Sequence, residues 1–351
     1  MDNRTTRMVE PQQRPDPAVL MSLSFSFANQ QILRTAVELD LFTHIENGAH
    51  TAADLAKASG ATERGVRMLA DALVGLKVLE KAGNRYSLTD AARTFLTKNS
   101  PAYMGAWILH SDQIKEAWSH LTESVRTGHP WRKVETEEGG ATFFAQFVDS
   151  LFVMNVPGAT AAAKHVVNGR RGLKVLDIGA GSGVWSLMVA KEDPDAHVTV
   201  ADFPQVIEVT KRFVAKHGFT DRYDYLPGDF RQSDFGRDKY DIATLGHICH
   251  SEGPRQSEEL LRRIKRALKP GGQLVIGEFL ADEERKENAF ALMFALNMLV
   301  HTEEGDTFTL TELKDILTRA GFDAVDTLQA PAPSPLIIAR TAAAKAGEKA
   351  A

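Results

Sequence analysis

The stretch LKVLDIGAGSGVWSLMVAKED, residues 173–193, combines a strand, a glycine-rich turn and a helix. The apolar run at residues 173–178 predicts the strand, and the turn carries Gly179, Gly181 and Gly183. Glycines let a ligand approach bare backbone, and the N-terminus of the helix that follows favours negative charge. The segment therefore predicts a nucleotide-type ligand site at the start of an α/β domain.

Two ligand classes compete for this turn. A dinucleotide needs the spacing G-x-G-x-x-G, whereas the spacing here is G-x-G-x-G, with Val184 and Trp185 in place of the last small residue. Asp177 at the strand end would repel a pyrophosphate and attract the ammonium of a methionine moiety. Asp202 closes the next strand, HVTVAD, where a carboxylate accepts hydrogen bonds from ribose hydroxyls. The acidic turn favours S-adenosylmethionine (SAM), and a purely structural tight turn is the alternative.

Later strands carry further candidate contacts. LPGDF places Asp229 and Phe230 after a third strand, where a carboxylate can accept from the adenine amino group while a ring stacks on the base. A surface turn with a core phenylalanine is the alternative. YDIATLGHICH predicts a fourth strand that runs into a loop, and LKPGGQLVIGEF a fifth strand that ends at Glu278. Because short β-branched strands alternate with helical segments from about residue 169, the predicted fold class is α/β with a mostly parallel sheet.

The first half of the chain is predicted to be mainly helical. Residues 18–100 show a helix, a turn, a second helix and a two-stranded wing at 78–88, which is a winged-helix pattern, and Thr51 is the predicted N-cap of the first of these helices. Such a domain suggests DNA binding through the helix at 62–74. Residues 50–99, however, carry eight basic and five acidic side chains, too small an excess for a surface that follows phosphates. We expect a scaffold or dimer-forming domain.

The composition narrows the functional classes. The chain has 351 residues, of which 43% are hydrophobic and 25% charged, as expected for a globular protein of two domains. A net charge of −5 argues against a dedicated polyanion binder. The single cysteine, Cys249, excludes an internal disulfide and a multi-thiolate metal site and fits a reducing cytoplasm. The N-terminus has no apolar signal segment, and the longest apolar stretch, residues 290–300, is about half of what a bilayer needs. We therefore expect a cytoplasmic protein without a membrane or nucleic-acid partner.

Five motifs occur together in a familiar order: DIGAGSG, ADFP, GDF, LKPGGQLVIGEF and TLTELKDILTRAGF. From about residue 20 to 340 the chain resembles the class I SAM-dependent O-methyltransferases of plant caffeate and bacterial antibiotic pathways. The resemblance implies a homodimer with an N-terminal winged-helix-like dimerisation domain and a Rossmann-like domain that contains a mostly parallel seven-stranded sheet. We expect a disordered tail at residues 1–17, the dimerisation domain at 18–100, a helical substrate-lining region at 101–168, the catalytic domain at 169–340 and a second, flexible tail at 341–351.

The resemblance also implies a division of roles along the SAM site. The turn glycines and Asp177 would hold the methionine portion, Asp202 the ribose hydroxyls, and Asp229 with Phe230 the adenine. Gly246 follows the fourth strand where relatives place a polar residue that touches SAM. A glycine there offers only its backbone.

Methyl transfer to a hydroxyl requires a base. The pKa of a phenol is near 10 and that of histidine near 6.5, so a positioned imidazole can accept the proton as the C–O bond forms. His250 lies after the fourth strand and matches the family's catalytic histidine within ICH, and Glu278 at the end of the fifth strand would orient it. Relatives follow the histidine with an acid and a tryptophan, whereas Ser251 and Glu252 stand here. Thr307 occupies the position of a second glutamate and cannot act as a carboxylate.

A metal-dependent reaction is the main alternative. His247, His250 and His301 are predicted near one rim with Glu278, and imidazoles plus a carboxylate suit iron or zinc. Relatives that methylate the carbon of an α-keto acid resemble this chain, and there a metal would hold the enolate. The reaction that we predict first, O-methylation with His250 as base, uses no metal. A winged-helix DNA-binding regulator is the alternative from another class.

For the methyl acceptor, the sequence predicts only a chemical class. In relatives the helix around residues 290–300 lines the acceptor pocket, and methionine suits a flat aromatic guest, with core packing as the alternative. We predict O-methylation of a small aromatic or polyketide-like natural product of secondary metabolism. The predicted lining residues are Trp107, Phe147, Phe290, Met293, Phe294 and Asn297.

Overall fold

A computed structural model describes residues 16–109, 112–131 and 137–343, and within these it leaves the side chains at 112–113 and 137–150 undescribed. The predicted tails at 1–17 and 341–351 therefore fall almost wholly outside the described residues. The chain divides into two compact units, Met1–Leu109 and His110–Ala351.

The first unit has the predicted helix, turn, helix and wing. Thr51 caps the fourth helix with a reciprocal capping box to Asp54, as the sequence predicts for its N-terminus. Leu55, Leu73 and Tyr86 are among the buried residues that hold the helices to the hairpin. The elements are α1 Ala18–Ser24, α2 Ser26–Glu38, α3 Leu41–Glu46, α4 Ala52–Ser59, α5 Glu63–Gly75, β1 Leu79–Ala82, β2 Arg85–Leu88, α6 Asp90–Leu96 and α7 Gly105–Leu109.

The first two helices present an exposed apolar surface. Each of the following side chains is more than 60% exposed: Val19, Leu20, Met21, Leu23, Phe25 and Phe27. A contiguous stretch of this kind is typical of a surface that another protein covers.

The second unit contains the predicted mostly parallel sheet of seven strands. Its helices are α8 Asp112–Ser119, α9 Leu121–Thr127, α10 Glu137–Val167, α11 Val184–Glu192, α12 Pro204–Lys216, α13 Cys249–Ala267, α14 Ala289–His301 and α15 Leu310–Arg319, and a 3₁₀ turn spans Thr220–Arg222. Its strands are β3 Lys174–Ile178, β4 His197–Asp202, β5 Tyr223–Pro227, β6 Tyr240–Gly246, β7 Leu268–Gly277, β8 Ala324–Leu328 and β9 Leu336–Arg340.

The strand order places the predicted motifs at one edge. The order is β5-β4-β3-β6-β7-β9-β8, and only β9 pairs antiparallel, with β7 and with β8. The direction of winding reverses between β3 and β6, and ligands of open α/β sheets bind outside the carboxyl ends of the strands at such a point. The glycine turn after β3 and the histidine loop after β6 therefore meet there.

Helices cover both faces of this sheet. Because successive side chains of a strand point to opposite faces, Val175 packs in one apolar cluster and Leu176 in the other. Helices α10, α11 and α12 contribute to the first cluster, and α13 and α15 to the second. Burial on both faces explains why these strands are continuous apolar runs. Among the described helices none combines the length and apolar character that crossing a bilayer requires.

Candidate active site

The turn between β3 and α11 adopts a conformation that requires glycine. The φ angles of Gly179, Gly181 and Gly183 are +60°, +56° and +74°. A Cβ at Gly179 would lie 2.8 Å from Cγ1 of Ile248, whereas a Cβ at Gly181 would meet nothing within 4 Å. The turn is thus packed against the histidine loop at one glycine, and at the next there is open space beside the backbone.

Asp202 lies beside this open backbone. Its Oδ2 accepts a hydrogen bond from the Gly181 N–H at 3.0 Å, and its Oδ1 accepts one from the Phe203 N–H at 2.8 Å. Burial raises the pKa of Asp202 to about 7, although both backbone hydrogen bonds lower it. Each carboxylate oxygen keeps a further lone pair, so the group fits the hydroxyls of a ribose.

Asp177, which is predicted to contact the ligand, is buried and hydrogen-bonded within the protein. The residue is 0% exposed, and its two oxygens accept hydrogen bonds of 2.6 Å from the hydroxyls of Ser186 and Thr244. Burial raises the pKa of this carboxyl to about 6. Its contacts tie the end of β3 to α11 and to β6.

The predicted adenine contacts lie after β5. The side chain of Asp229 is 26% exposed, and its Oδ1 accepts a hydrogen bond from the Arg231 N–H at 2.9 Å. Phe230 is 5% exposed, and its ring centroid lies 6.1 Å from that of Phe203. Asp229 is thus accessible and Phe230 is largely packed in the core, so stacking of its ring on adenine stays a prediction.

Trp185 occupies the space beside the ends of β6 and β7. Gly246 and Gly277 are paired residues at these two strand ends. A Cβ at Gly246 would lie 2.8 Å from Cε2 of the indole, and a Cβ at Gly277 would lie 2.6 Å from Cζ2. The indole therefore fills the volume that a side chain at position 246 would need. The predicted backbone contact of Gly246 with SAM stays a prediction.

His250 and Glu278 form a buried hydrogen-bonded pair. Nδ1 of His250 lies 2.7 Å from Oε2 of Glu278, and the His250 N–H donates to Oε1 at 3.2 Å. Burial acts to raise the pKa of Glu278, but the charge and hydrogen bonds of His250 outweigh it and lower the pKa. A carboxylate only accepts, so Nδ1 donates to Glu278, and Nε2 is the ring nitrogen left for another partner.

The loop that carries His250 is fixed from two sides. The His250 carbonyl accepts a hydrogen bond from the Asp306 N–H at 2.9 Å, and a Cβ at Gly305 would lie 2.6 Å from that same carbonyl oxygen. On the other side Arg231 donates to both oxygens of Glu252, with Nε 2.9 Å from Oε2. Glu252 is 2% exposed and replaces the tryptophan of the family pattern with a buried ion pair.

Aromatic rings surround the two histidines of this loop. The Phe294 ring meets the His250 ring edge-on at 5.0 Å, and the Phe279 ring lies 4.5 Å from the His247 ring. Phe290 packs against Phe279 at 5.1 Å and is 50% exposed. The structure therefore brings two of the predicted lining residues, Phe290 and Phe294, to the histidine loop.

For the other predicted lining residues, the role in the acceptor pocket stays a prediction. Met293 is on the same helix, α14, and is 56% exposed. The Oδ1 of Asn297 accepts a hydrogen bond from Nε1 of Trp118 at 2.9 Å. Trp107 belongs to the first unit, and the side chain of Phe147 lies outside the described residues.

Two family models match this chain. The O-methyltransferase domain matches residues 118–323, and the O-methyltransferase dimerisation domain matches residues 21–98. The chain belongs to the O-methyltransferase family. It is a SAM-dependent methyltransferase, and its cofactor is SAM.

Similar proteins cover nearly the whole length of this methyltransferase. The tetracenomycin polyketide synthesis 8-O-methyltransferase of Streptomyces glaucescens is 31% identical over 92% of this chain and 96% of its own. The 3-hydroxy-5-methyl-1-naphthoate 3-O-methyltransferase of Streptomyces sahachiroi is 29% identical over 90% and 92%. Human N-acetylserotonin methyltransferase, solved in complex with SAM, superimposes with a TM-score of 0.77 at 25% identity, over 95% of this chain and 100% of the other.

The family assignment favours O-methylation over both alternatives. A DNA-binding regulator is not favoured because the winged-helix pattern matches a dimerisation domain. For the metal alternative, the structure does not bring the predicted third histidine, His301, into one described group with His247 and His250. Among the described residues the group that could hold a metal is His247, His250 and Glu278, whose ligand atoms lie within 4.8 Å of one another. Nδ1 of His301 instead bonds the Asn297 carbonyl of its own helix at 2.9 Å.

The methyltransferase contains site residues that the sequence did not reveal. Asn155 of α10 bonds His247, and nothing in the sequence around it marks it as part of the site. Phe279 directly follows Glu278 at the end of a strand, and this position in the sequence could have indicated that it belongs to the site. Thr307, at the position of the second glutamate in relatives, is 0% exposed and donates through Oγ1 to the Ala291 carbonyl at 3.3 Å. It supplies no carboxylate, as its residue type predicts.

Proposed function

We propose that this methyltransferase transfers the methyl group of SAM to a hydroxyl of a small aromatic or polyketide-like molecule, with His250 as general base. The observation that carries the proposal is the 2.7 Å contact between Nδ1 of His250 and Oε2 of Glu278. Two relatives named for a polyketide and a naphthoate support this acceptor class.

The residues divide the reaction between them. When bound, SAM supplies a methyl group on a positively charged sulfur that needs no further activation. His250 accepts the hydroxyl proton on Nε2, and the Glu278 carboxylate stabilises the imidazolium that results. Phe279 and Phe294 keep water from the imidazole, which strengthens the interaction of this ion pair.

We assign the SAM site to the groups at the turn. The backbone of Gly179, Gly181 and Gly183 would receive the methionine portion, and Asp202 would accept from the ribose hydroxyls. Asp229 would accept from the adenine amino group, with Phe230 beneath the base. The open backbone at Gly181 and the buried carboxylate beside it support this assignment.

We also propose that the protein works as a homodimer in the cytoplasm on a small-molecule acceptor, with no nucleic acid or membrane as partner. The match to a dimerisation domain and the exposed apolar surface of α1 and α2 support the dimer. The single cysteine, Cys249, is buried, which suits a reducing compartment.

Labelled SAM tests the proposal directly. The purified protein is incubated with SAM carrying a labelled methyl group and with naphthols, hydroxyanthraquinones, aromatic amines and α-keto acids. We expect label only in the hydroxylated compounds, as an aryl methyl ether identified by mass spectrometry. Label on carbon or nitrogen alone would contradict O-methylation, and no calorimetric heat with S-adenosylhomocysteine (SAH) would contradict the cofactor site.

A further inference from the structure

His247 is held in an unusual position between β6 and α13. Its φ angle is +62°, a left-handed conformation that is uncommon for a residue other than glycine. Its N–H donates to the Gly277 carbonyl at 2.8 Å, and its Nε2 lies 2.9 Å from Oδ1 of Asn155. Neither contact is needed for the proposed role of His250 as a base or for binding of SAM at the glycine turn.

The contact with Asn155 determines which ring nitrogen of His247 carries the proton. The amide Nδ2 of Asn155 donates to the Leu151 carbonyl at 2.9 Å, so the amide must turn its Oδ1 towards His247. An oxygen can only accept here, and Nε2 of His247 therefore carries the hydrogen. Nδ1 of the neutral ring is left as a bare acceptor.

This acceptor is buried and has no hydrogen-bond partner within the described part of the chain. Burial lowers the pKa of His247 to about 4, while Glu278 opposes this shift and His250 adds to it. Buried polar atoms are nearly always paired, so an unpaired one in a candidate active site indicates a ligand.

The acceptor nitrogen lies close to the proposed base. The rings of His247 and His250 are 6.2 Å apart, and both lie against Phe279, at 4.5 and 5.9 Å. A flat molecule that presents its reacting hydroxyl to His250 would thus bring its neighbouring substituent to His247.

We propose that His247 is a specificity-determining residue whose Nδ1 accepts a hydrogen bond from a second hydroxyl or N–H group of the acceptor, on the carbon next to the reacting hydroxyl. The inference rests on the proposed function and names its substrate class more narrowly. A substituent whose oxygen or nitrogen carries no hydrogen would place its lone pair against the lone pair of Nδ1. An acceptor without the substituent would leave Nδ1 unpaired. The enzyme therefore selects diol-like aromatics over their mono-ethers and over simple phenols.

Three matched probes test this selection: 2,3-dihydroxynaphthalene, 3-methoxy-2-naphthol and 2-naphthol. Their dissociation constants for the SAH-loaded enzyme are measured by calorimetry, and kcat/KM is measured with SAM. We expect the wild-type protein to prefer the diol over both other probes by about tenfold or more in each measurement, the loss typical of one buried hydrogen bond. 2-Naphthol separates the missing hydrogen bond from the bulk of the methoxy group.

Variants of His247 test whether this residue causes the preference. In His247→Ala the preference for the diol over 2-naphthol should fall to about twofold, because the diol has two equivalent hydroxyls that can react. The variant should retain the wild-type affinity for SAH. His247→Asn should keep much of the preference, because asparagine places an acceptor oxygen near Nδ1 and tolerates left-handed backbone. His197→Ala removes an exposed imidazole at the strand edge and should match the wild type.

Two results would overturn the proposal. One is a wild-type protein that binds the diol no better than 2-naphthol, which includes the case in which neither binds. The other is a His247→Ala variant that keeps the wild-type preference. Either result leaves the proposed function in place as long as a hydroxyl is methylated, whereas loss of SAH binding or of all O-methylation would defeat that function instead.

Discussion

The proposed SAM end of the site, at the glycine turn, and its proposed acceptor end, at the histidine loop, differ in how their polar groups are satisfied. At the SAM end, both oxygens of Asp177 and both oxygens of Asp202 accept hydrogen bonds from the protein itself. At the acceptor end, His250 and His247 each bond the protein through one ring nitrogen, and in each the other nitrogen is left for another partner. The first region is built to keep its shape without a ligand, and the second is completed by one.

This difference predicts different consequences of substitution. Changes at the acceptor end should reduce turnover or alter the choice of acceptor while SAM still binds. Changes at the SAM end should reduce SAM affinity or the stability of the fold. The following predictions test this division, beginning with the largest expected effect.

The largest effect is expected for His250→Ala, which removes the proposed base. General base catalysis typically contributes 10²–10⁴-fold, so kcat should fall by about that factor while SAM affinity, measured by calorimetry, stays near the wild-type value. Retention of more than about a tenth of the wild-type rate would remove His250 from this role. A parallel loss of SAM binding would show that the two ends are not separable.

Glu278→Gln should reduce kcat by about 10- to 150-fold, because a hydrogen bond to a charged group is worth about 1.5–3 kcal/mol. The amide keeps the size of the side chain but not the negative charge opposite Nδ1 of His250. The KM for SAM should change little, and Glu278→Asp should recover part of the rate. Equal losses in both variants, together with a lower melting temperature, would indicate a purely structural role for Glu278.

Asp202→Asn should weaken SAM binding by about tenfold, since the amide retains one acceptor oxygen but loses the charge. The wild-type affinity should also fall as the pH decreases from 8 to 6, because protonation near the raised pKa of about 7 removes that charge. Asp224→Asn on the neighbouring strand, where the carboxylate is exposed, should change neither property. Unchanged SAM affinity in Asp202→Asn would contradict the assignment to the ribose.

The same carboxyl should affect stability in the opposite sense. The folded protein holds the Asp202 proton up to about pH 7, whereas the unfolded chain releases it near pH 3.8. The free energy of unfolding without SAM should therefore fall as the pH rises through this window, and Asp202→Asn should remove part of the fall. Urea unfolding at pH 5 and pH 8 measures this change in the free energy of unfolding. An identical change in the wild type and in Asp202→Asn would contradict the raised pKa.

The smallest effect is expected for Gly246→Ala. The added methyl group collides with the indole of Trp185, and overpacking of this kind costs about 1–3 kcal/mol of stability. Gly75→Ala at the end of α5, where a Cβ meets nothing within 4 Å, is the matched control and should be neutral or slightly stabilising. Equal stabilities of the two variants would show that Trp185 repacks freely and that the paired glycines at Gly246 and Gly277 have no such role.

The local pattern of the sequence was sufficient for the fold and for the position of the glycine turn. The alternation of apolar strands and helices predicted the parallel sheet, and the spacing of the glycines predicted the turn. Asp202 could be placed because it closes a strand, and the carboxyl ends of parallel strands share one edge. Asp177 also lies near a strand end, but its carboxylate bonds Ser186 and Thr244, and no local pattern predicts these contacts.

The sequence by itself determined the family, the α/β fold and the pairing of His250 with Glu278, because each depends on short-range periodicity or on the ends of adjacent strands. The tertiary structure alone decided the rest of the acceptor end. Asn155 and His247 are 92 residues apart, and their hydrogen bond sets the protonation of the ring. His301 was predicted to join the other histidines, but its ring bonds the carbonyl of its own helix. Contacts of this kind depend on how distant elements pack and how a helix is rotated, which no local pattern specifies.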